Sequence, residues 1–384
     1  MPATPKTDVI AFIQPFVPNY RVGLFDAIAA ELEAVGLRLE VWHDEPRGIV
    51  AARGNSSGGG PWSVRIKQRR ITVKRRNVTF RGIHRDARRV RAVVAGLAST
   101  NLETYLLAAD PSVALLLWGH GRNFTASNNA LDARLERWLL SRAKHVFTYT
   151  EQGAAHLAEG GTPREEITVV RNSTDAKSLR RWKAEGEASS NDLREALDLT
   201  AGWTGLFAGA LDAPKRLPFL FTAMDIVAAA EPRFRLLIAG AGPLDTYVRD
   251  EVAKRPWATL LGRLEPKQLA AHSTVADVML MPGRVGLVAV DSLALGVPVA
   301  TTRYPFHAPE ADYLTEVNSL WTADDERSYA DGLLGLLNSP DRLASLGNAA
   351  LTDGMSLSSE ASGRAFARGI CQALGMPSPA PTTL

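Results

Sequence analysis

The chain has 384 residues, of which 46% are hydrophobic and 22% are charged, and its one cysteine is Cys371. This length and composition predict two or three globular domains and exclude collagen, coiled coils and disordered chains. A lone cysteine excludes disulfide frameworks and zinc sites built on paired thiolates. No run approaches about 18 uncharged apolar residues, and the first residues lack the apolar core of a signal peptide. We therefore expect a cytoplasmic protein.

The positive charge is concentrated in one segment. Residues 65–91, here called the basic block, hold twelve Lys or Arg and a single acid, Asp86, whereas the rest of the chain is net acidic. Such a block favours an anionic partner. Three interpretations stay open: docking on an anionic membrane, a face that is solvated or shaped for an anionic soluble acceptor, and nucleic-acid binding. The last is disfavoured because Phe80 is the only aromatic residue of the block that could stack on bases.

Strands and helices alternate from the start of the chain. The apolar spacing predicts a strand over 9–13, a helix over 21–36 and a strand over 37–42, which together form a β-α-β unit. The basic block then contains two short strand-like runs, ITV and VTF. The later elements predicted in the first half are helices over 85–99 and 131–143, and strands over 113–118, 145–150 and 167–172. This alternation predicts a parallel sheet with helices on its faces.

The second half repeats the alternation after a polar stretch, 183–192, which we expect to be a linker or a surface hairpin. The strands predicted beyond it cover 204–209, 235–240, 259–262, 277–282 and 297–302, with helical segments between them. A last helix is predicted at about 359–374. The predicted fold class is therefore α/β, with two Rossmann-like, doubly wound parallel-sheet domains in tandem.

The loops after the strands of the second half carry glycines and charges typical of a ligand site. Because ligands of open parallel sheets bind beyond the carboxyl ends of the strands, these loops hold the candidate residues. They are Lys215 and Arg216 beyond the turn at Gly209, Gly240 and Gly242 before a helix, Gly262, Arg263 and Leu264 after the next strand, and Gly283, Gly286 and Leu287 before another helix.

Two of these places leave alternatives open. Gly240 and Gly242 either let backbone amides approach a ligand or serve a tight β-α turn; Asp245 replaces the third glycine of GxGxxG, which disfavours a nicotinamide cofactor. Asp291 lies on an otherwise apolar helix, where a carboxylate is costly to bury without donors. We expect it to face a cleft and accept sugar hydroxyls, the alternative being a partly exposed acid near a helix N-terminus.

Several motifs together resemble a retaining glycosyltransferase of the GT-B type, glycosyltransferase family 4 (glycosyl transferases group 1). They are GALDAPKRL, the GAGP turn, residues 260–302 with HAPEADYLTEVNS after them, and WGHGRN and VVRNSTD in the first half. The resemblance covers nearly the whole chain and rests on the order and spacing of the motifs. It implies two domains facing across a cleft: an acceptor-binding domain over 1–182, a linker over 183–200, a nucleotide-sugar-binding domain over 201–358, a helix over 359–375 packing back toward the first domain, and a disordered tail over 376–384.

The resemblance implies how a nucleotide-diphosphate sugar is held. Lys215 binds the diphosphate as a point charge, and the amides of Gly286 and Leu287 at a helix start hold other phosphate oxygens. Asp291 contacts the ribose hydroxyls. The resemblance implies that Gly262, Arg263 and Leu264 line the base through backbone contacts. It also implies that Asn172 lies near the interdomain hinge. No essential metal and no further cofactor are expected, because no DxD-like pair follows a strand in the required context.

The sequence departs from the family pattern at two positions. The first family glutamate, eight positions before Asp291, falls on Gly283. Its contact with the transferred sugar is therefore absent or supplied from elsewhere. The arginine that usually follows the glycine of the Lys215 loop is Ala210. We expect Arg216 to replace its charge, because a guanidinium can grip a phosphate through two hydrogen bonds.

The acceptor and the transferred sugar have their own candidates. His120, in WGHGRN, matches a cleft histidine of the family that contacts sugar or acceptor, the alternative being a packed or capping histidine. His307 and Glu310 match a family pattern near the donor sugar. Asn19 and Tyr20 lie in the first β-α loop, where acceptor contacts are expected, although Asn19 could equally cap a helix.

The implied activity is transfer of a sugar, with retention of configuration, from a nucleotide-diphosphate sugar to a cell-envelope glycan or a lipid-linked acceptor. The basic block would then hold the enzyme at the inner face of the plasma membrane. A rival interpretation is a GT-B protein that binds nucleotide or glycan without catalysis, motivated by Gly283 and Ala210 and opposed by Lys215 and Asp291. A sugar epimerase of the same architecture is a third and weaker interpretation, since it needs carboxylates around the sugar.

Overall fold

The computed structural model describes residues 6–46, 59–73, 76–97, 101–121 and 130–379. The chain folds into two compact units: the first comprises Met1–Asn172 with Ser359–Leu384, and the second comprises Ser173–Ser358. Each unit is built on one parallel sheet. Within the described ranges, no helix is both long and apolar enough to cross a membrane.

The first unit has a seven-stranded parallel sheet. In chain order its elements are β1 (Thr7–Ile13), α1 (Val22–Glu33), β2 (Arg38–His43), β3 (Ser63–Arg65), the antiparallel hairpin of β4 (Arg69–Val73) and β5 (Arg76–Phe80), α2 (His84–Ala87), β6 (Val90–Gly96), α3 (Leu102–Ala109), β7 (Leu115–Gly119), α4 (Ala130–Leu140), β8 (His145–Thr148), α5 (Glu151–Glu159) and β9 (Ile167–Val169). The strands lie in the order β3-β2-β1-β6-β7-β8-β9. The order reverses between β1 and β6, so the loops after these strands diverge and open a crevice there.

Apolar side chains cover both faces of this sheet. Ile10 and Phe12 of β1 lie in one apolar cluster. Val9, Ala11 and Ile13 lie in a second cluster on the other face, because successive side chains of a strand point to opposite sides. Burial on both faces explains why β1 is a continuous apolar run in the sequence.

The second unit has a six-stranded parallel sheet. Its elements are α6 (Ala176–Glu187), α7 (Ser190–Ala196), β10 (Thr204–Ala208), α8 (Leu217–Ala230), β11 (Arg235–Ala239), α9 (Asp245–Ala253), β12 (Ala258–Gly262), α10 (Pro266–His272), β13 (Val278–Met281), α11 (Val288–Leu295), β14 (Val299–Thr302), β15 (Ser319–Thr322), α12 (Glu326–Leu337) and α13 (Pro340–Gly354). The strands lie in the order β12-β11-β10-β13-β14-β15. This is the doubly wound order, and it reverses between β10 and β13.

The last helix, α14 (Ser359–Leu374), belongs to the first unit. The ring of Phe366 lies 5.5 Å from that of Phe12 and 4.9 Å from that of Trp118, centroid to centroid. Gly363 lets α14 approach α1, because a Cβ on it would lie 2.8 Å from the backbone of Ala27. The C-terminal helix therefore completes the core of the N-terminal sheet. Of the tail predicted to be disordered, residues 380–384 lie outside the described residues.

The helix predicted over 85–99 is wrong. The segment forms the short helix α2 and then β6, which lies at the centre of the sheet beside β1. Val93 and Val94 of β6 are both fully buried, so the strand has no polar face and shows no alternation in the sequence. A fully buried strand and a buried helix look alike by periodicity alone.

The linker expected over 183–200 is also wrong. Helices α6 and α7 occupy most of it, and Asp175 caps α6 by accepting the N–H of Ser178 at 3.1 Å. Trp182 packs on the core of the second unit, and the Lys183 ammonium donates to the carbonyl of Leu295 at 2.6 Å. The unit boundary consequently falls after Asn172, ten residues before the predicted one. The few apolar residues of these helices are spread among many charges, which hid them in the sequence.

Candidate functional site

The order reversal of the second sheet places two loops side by side. Residues 209–216 follow β10, and residues 282–287 follow the neighbouring strand β13. The side chain of Lys215 runs beside Gly209 and its ammonium donates to the carbonyl oxygen of Arg284 at 2.6 Å. The cation is thus held against the loop that leads into α11, at the edge of the sheet where ligands of this fold bind.

Gly283 is required by the contact between these two loops. A Cβ on Gly283 would lie 2.5 Å from both the carbonyl oxygen of Pro214 and the carbonyl carbon of Lys215. The next N–H, that of Arg284, donates to the Pro214 carbonyl at 2.8 Å. A glutamate at position 283 is therefore incompatible with this backbone. Gly283, where the resembled pattern has a glutamate, thus allows the close contact between the loops that positions Lys215.

Burial is the main influence on the Lys215 ammonium and lowers its pKa to about 8. Asp212 and Glu310 partly oppose this change, whereas the nearby positive charge of Arg284 adds to it. A lysine in this state is stabilised in its charged form by any anion that binds beside it.

The loop before α11 presents backbone donors as well. Helix α11 begins at Val288, and the N–H groups of Ala289 and Val290 already donate to the carbonyls of Gly286 and Leu287, each at 2.9 Å. The N–H groups that have no acceptor within the helix are therefore those of Leu287 and Val288 and of the residues before them. Helix N-termini attract anions for this reason. Gly286 leaves the approach open, since a Cβ there would meet only the Ala308 side chain at 3.9 Å.

His307 holds this loop in place. Its Nδ1 accepts the N–H of Val285 at 3.1 Å, and its Nε2 lies 2.9 Å from the carbonyl of Thr302, which requires the neutral tautomer protonated on Nε2. Burial lowers the pKa of the imidazole, which keeps it neutral. Both ring nitrogens are thus engaged within the unit. The donor-sugar contact predicted for His307 is replaced by a positioning role. Glu310, in the turn Pro309–Tyr313, is buried.

Arg216, the predicted second phosphate ligand, is already paired. It adopts a left-handed backbone conformation with φ of 54°, and its guanidinium forms an ion pair with Asp324. The same group lies 4.3 Å from the ring centre of Phe219 and 5.0 Å from that of Tyr304. Its charge is therefore compensated before any ligand arrives. The predicted phosphate contact of Arg216, in place of the missing arginine, would therefore have to compete with its ion pair to Asp324.

Arg284 is the cation that the sequence interpretation missed. It is half-buried, and its charge acts on both Lys215 and His307. In the part of the chain that the structure describes, no carboxylate forms an ion pair with its guanidinium. The sequence feature that could have indicated Arg284 is a basic residue between two glycines, directly before a helix and next to the point where the strand order reverses.

Asp291 lies one turn into α11 and is half-buried. Burial raises the pKa of its carboxyl to about 6, and the neighbouring hydroxyl of Thr174 opposes the rise. A partly dehydrated carboxylate of this kind can accept hydroxyl groups of a ligand.

The glycines of the β11 loop serve packing. The N–H of Gly240 donates to Gly262 at 2.8 Å, and that of Gly242 donates to the Asp245 carboxylate at 2.8 Å. A Cβ on Gly240 would overlap the carbonyl oxygen of Gly209, and one on Gly242 would lie 2.5 Å from that of Leu211. The tight-turn alternative thus accounts for both, and neither amide is available to a ligand. This corrects the ligand-approach interpretation.

The remaining donor candidates lie after β12. Gly262 has φ of 71° and open space where a Cβ would stand. Arg263 is exposed, with its Nε 3.8 Å from a carboxylate oxygen of Glu265, and Leu264 packs partly on the core. The space beside Gly262 is open on the side where a Cβ would stand, although its carbonyl already accepts the N–H of Gly240.

The acceptor candidates of the first unit lie on its carboxyl edge. Asn19 and Tyr20 form a short 3-10 turn after β1, and Asn19 is exposed. The residue at the cap position of α1 is Arg21, so the capping alternative for Asn19 is wrong. Asn172 is buried and is the last residue of the first unit before the chain enters the second.

His120 follows β7 and is exposed, with its ring 5.1 Å from that of Tyr149. Gly119 and Gly121 beside it are needed for packing, because a Cβ on either would collide with Leu97 or with the Gly153 carbonyl. His120 lines a cavity of about 500 Å³ formed by the loops after β1, β6 and β7. The described residues contain no group of three His, Cys, Asp or Glu arranged to hold a metal ion.

One family model matches the segment that forms the second sheet. Residues 203–339 match the family model described as glycosyl transferases group 1. The matched segment spans β10 to β15 and includes Lys215, Arg284 and Asp291. The cation, the glycine loop and the start of α11 therefore lie in a segment similar to glycosyl transferases group 1.

A curated relative matches part of the chain. The 2-deoxystreptamine glucosyltransferase of Streptomyces kanamyceticus is 31% identical over 173 residues, which are 43% of this chain and 44% of that protein. The chain thus matches less than half the length of this relative.

Solved structures match nearly the whole chain. A glycosyltransferase from Rickettsia africae ESF-5 aligns with a TM-score of 0.68 at 12% identity, covering 95% of this chain and 98% of that one. Anabaena HepE, solved in complex with UDP and glucose, aligns with a TM-score of 0.62 at 14% identity, covering 94% and 98%. At these identities the likeness concerns the fold alone. The chain has the GT-B fold of two parallel-sheet α/β domains.

Proposed function

We propose that this protein is a glycosyltransferase that moves a sugar from a nucleotide-diphosphate sugar to a cell-envelope glycan or a lipid-linked acceptor, with retention of configuration. The observation that carries the proposal is the Lys215 ammonium held on the loop that begins α11, within the segment that matches glycosyl transferases group 1. The resemblance of the motifs supports the retaining hexosyl transfer. The UDP in the HepE complex supports a nucleotide donor.

The proposed chemistry is stabilisation of a leaving group. When the bond between sugar and diphosphate breaks, negative charge grows on the diphosphate oxygens. Lys215, the N–H groups at the start of α11 and Arg284 stabilise that charge. Burial lowers the pKa of Lys215 to about 8, which means that it disfavours the charged form of the lysine. The negative charge that grows on the diphosphate stabilises that charged form. The donor phosphate takes the acceptor proton, so the protein needs no separate base.

Asp291 has a different task in this proposal. Its half-buried carboxylate accepts the ribose hydroxyls of the donor and thereby orients the nucleotide relative to Lys215. Replacement by asparagine keeps the shape but adds a donor where the ribose also donates. We expect Asp291→Asn to raise KM for the donor more than it lowers kcat.

Attachment to an anionic membrane through the basic block is the third part of the proposal. Arg85 and Arg89 are exposed there, whereas Arg65 pairs with Glu45 and Arg88 with Asp110. The free charge of the block is thus smaller than its sequence suggests. Co-sedimentation with phosphatidylglycerol vesicles and with neutral vesicles tests the attachment; equal binding to both rejects it.

The decisive experiment is a donor panel. UDP-, GDP- and dTDP-sugars are screened by thermal shift and by release of nucleoside diphosphate, for the wild type and for Lys215→Ala. We expect one nucleotide to bind and its sugar donor to turn over, with turnover reduced about a hundredfold or more in Lys215→Ala. Lys254→Ala is the matched control, since that lysine is exposed and directly follows α9 in the same unit. Equal rates in Lys215→Ala and Lys254→Ala reject the proposal.

The rival is a nucleotide-binding or glycan-binding protein without catalysis. Gly283 favours it, because the loop contact leaves no room for the glutamate expected there. Nucleotide binding without turnover of any donor on the panel would favour this rival.

A further inference from the structure

The cavity of the first unit lies where the order of its sheet reverses. It measures about 500 Å³ and is lined from the loops after β1, β6 and β7, with Gln68 and Arg81 contributed by the basic block. This volume is in the range of small-molecule sites. The described residues that line it include no Asp or Glu. The cavity is therefore positive.

Arg21 is the centre of this charge. Its guanidinium donates to the amide oxygen of Gln14 and to the hydroxyl of Tyr149, both at 3.0 Å, and lies 4.8 Å from the ring centre of Trp118. All of these partners are uncharged. Its Nε is buried without a hydrogen-bond partner, and within the described ranges no carboxylate pairs with the group. A half-buried guanidinium without a counter-ion is costly and cannot lose its proton.

The position of Arg21 in the fold adds to this cost. It stands at the cap position of the twelve-residue helix α1, where the helix dipole is positive. Natural helix starts favour acids, and this one carries a base. The guanidinium and the helix start therefore both attract an anion to the same place.

A second guanidinium faces the same cavity. Arg81 donates to the side-chain oxygens of Asn101 at 2.8 Å and Gln68 at 2.9 Å. Its backbone N–H and two following ones are accepted by the buried carboxylate of Glu103, which fixes the segment that carries Arg81. The neutral amides orient both guanidinium groups, in the manner of a preformed recognition site.

We propose that this cavity binds an oxyanion group of the acceptor, a phosphate or a carboxylate, and that Arg21 is the residue that holds it. The inference rests on the proposed transferase function, and it narrows the acceptor to phosphorylated or uronic-acid-bearing molecules. It also gives part of the basic block a role: Gln68 and Arg81 help build an anion site instead of a membrane face. A charge-assisted hydrogen bond typically changes affinity by about tenfold or more.

The test uses three sugars that differ at one carbon: glucose, glucuronate and glucose 6-phosphate. Their binding to the full chain is measured by titration calorimetry in the Lys215→Ala background, which removes the ammonium of the other anion site. We expect at least one of the two anionic sugars to bind about tenfold or more tightly than glucose, with an affinity that falls as salt rises. The stronger anion identifies phosphate or carboxylate as the natural group.

Arg21→Gln should abolish the preference for the anionic sugars, whereas Arg38→Gln, which removes an exposed arginine of the same unit, should retain it. Thermal unfolding checks that each variant is folded, and Arg81→Gln provides a second site variant with the same expected loss. Equal affinities for the three sugars, an anion preference that survives both site variants, or no binding of any sugar overturns the inference. Donor binding by the wild type is measured separately, so failure of the transferase function and failure of this site give different results.

Discussion

Substitution of Gly283 is the sharpest test of how the donor loops are built. A single added methyl, in Gly283→Ala, would place a Cβ 2.5 Å from the carbonyl oxygen of Pro214 and from the carbonyl carbon of Lys215. The loops would have to separate by about 1 Å to reach van der Waals distance. The strain of such overpacking costs about 1–3 kcal/mol. Separation also weakens the hydrogen bonds from Arg284 N–H to Pro214 and from Lys215 to Arg284, each contributing about 1 kcal/mol.

The expected loss of stability for Gly283→Ala is therefore about 2–4 kcal/mol, or about 5–15 °C in Tm for a unit of this size. Thermal unfolding followed by circular dichroism measures it. Gly335→Ala is the matched control, because that helical glycine has open space around it and alanine favours helix. If Gly283→Ala unfolds at the temperature of the wild type and of the control, the loop contact does not demand glycine. Gly283→Glu, which introduces the glutamate of the pattern that the motifs resemble, should lower turnover as well as stability.

Three further outcomes follow from the same geometry. Arg284→Gln should weaken binding of nucleoside diphosphate about tenfold, whereas Arg216→Gln should chiefly lower Tm, because Arg216 is paired with Asp324; equal losses of affinity by calorimetry would contradict this. Because burial lowers the pKa of Lys215 to about 8, its charge is present below that pH and lost above it, so nucleotide affinity should decline as pH rises through 8 and hold in Lys215→Arg. Gly363→Ala should lower Tm by several degrees, because its Cβ would lie 2.8 Å from the Ala27 backbone; an unchanged Tm would show that α14 can shift.

Most strands of the two sheets could be predicted because they are buried on two faces, whereas β3, β6 and β15 were not predicted. Continuous apolar runs such as those of β7 and β13 stand out from their polar surroundings. The same property concealed β6, whose alanines and valines fit a helix equally well. Helices α6 and α7 were missed for the opposite reason, since each buries only a narrow stripe. A segment that is buried on all sides, or that buries only a small part of its surface, shows weak hydrophobic periodicity. Tertiary contacts then determine whether it forms a helix or a strand.

The candidate site could be predicted in its backbone and less well in its side chains. Lys215 and the loop before α11 follow from the rule that ligands bind where strand order reverses. The partner of Arg216 could not be predicted, because Asp324 is distant in sequence and reaches it only through the neighbouring strands. From the sequence alone, Gly283 indicates only that the glutamate of the resembled pattern is missing. The structure shows that a side chain at position 283 would collide with the backbone of Pro214 and Lys215, a contact that cannot be read from the sequence.

The two sheets place different cations at their points of order reversal, and the difference has a chemical consequence. Lys215 is titratable, so its charge depends on burial, on Arg284 and on the ligand itself. Arg21 keeps its charge at any pH that the fold survives, and Gln14 and Tyr149 fix its orientation before a ligand arrives. In the proposed reaction, the Lys215 site releases its product after each turnover, which an adjustable charge favours. The proposed acceptor site at Arg21 recognises one anion, which a permanent charge favours. Anion binding at Arg21 should therefore remain constant across the pH range in which nucleotide binding at Lys215 declines.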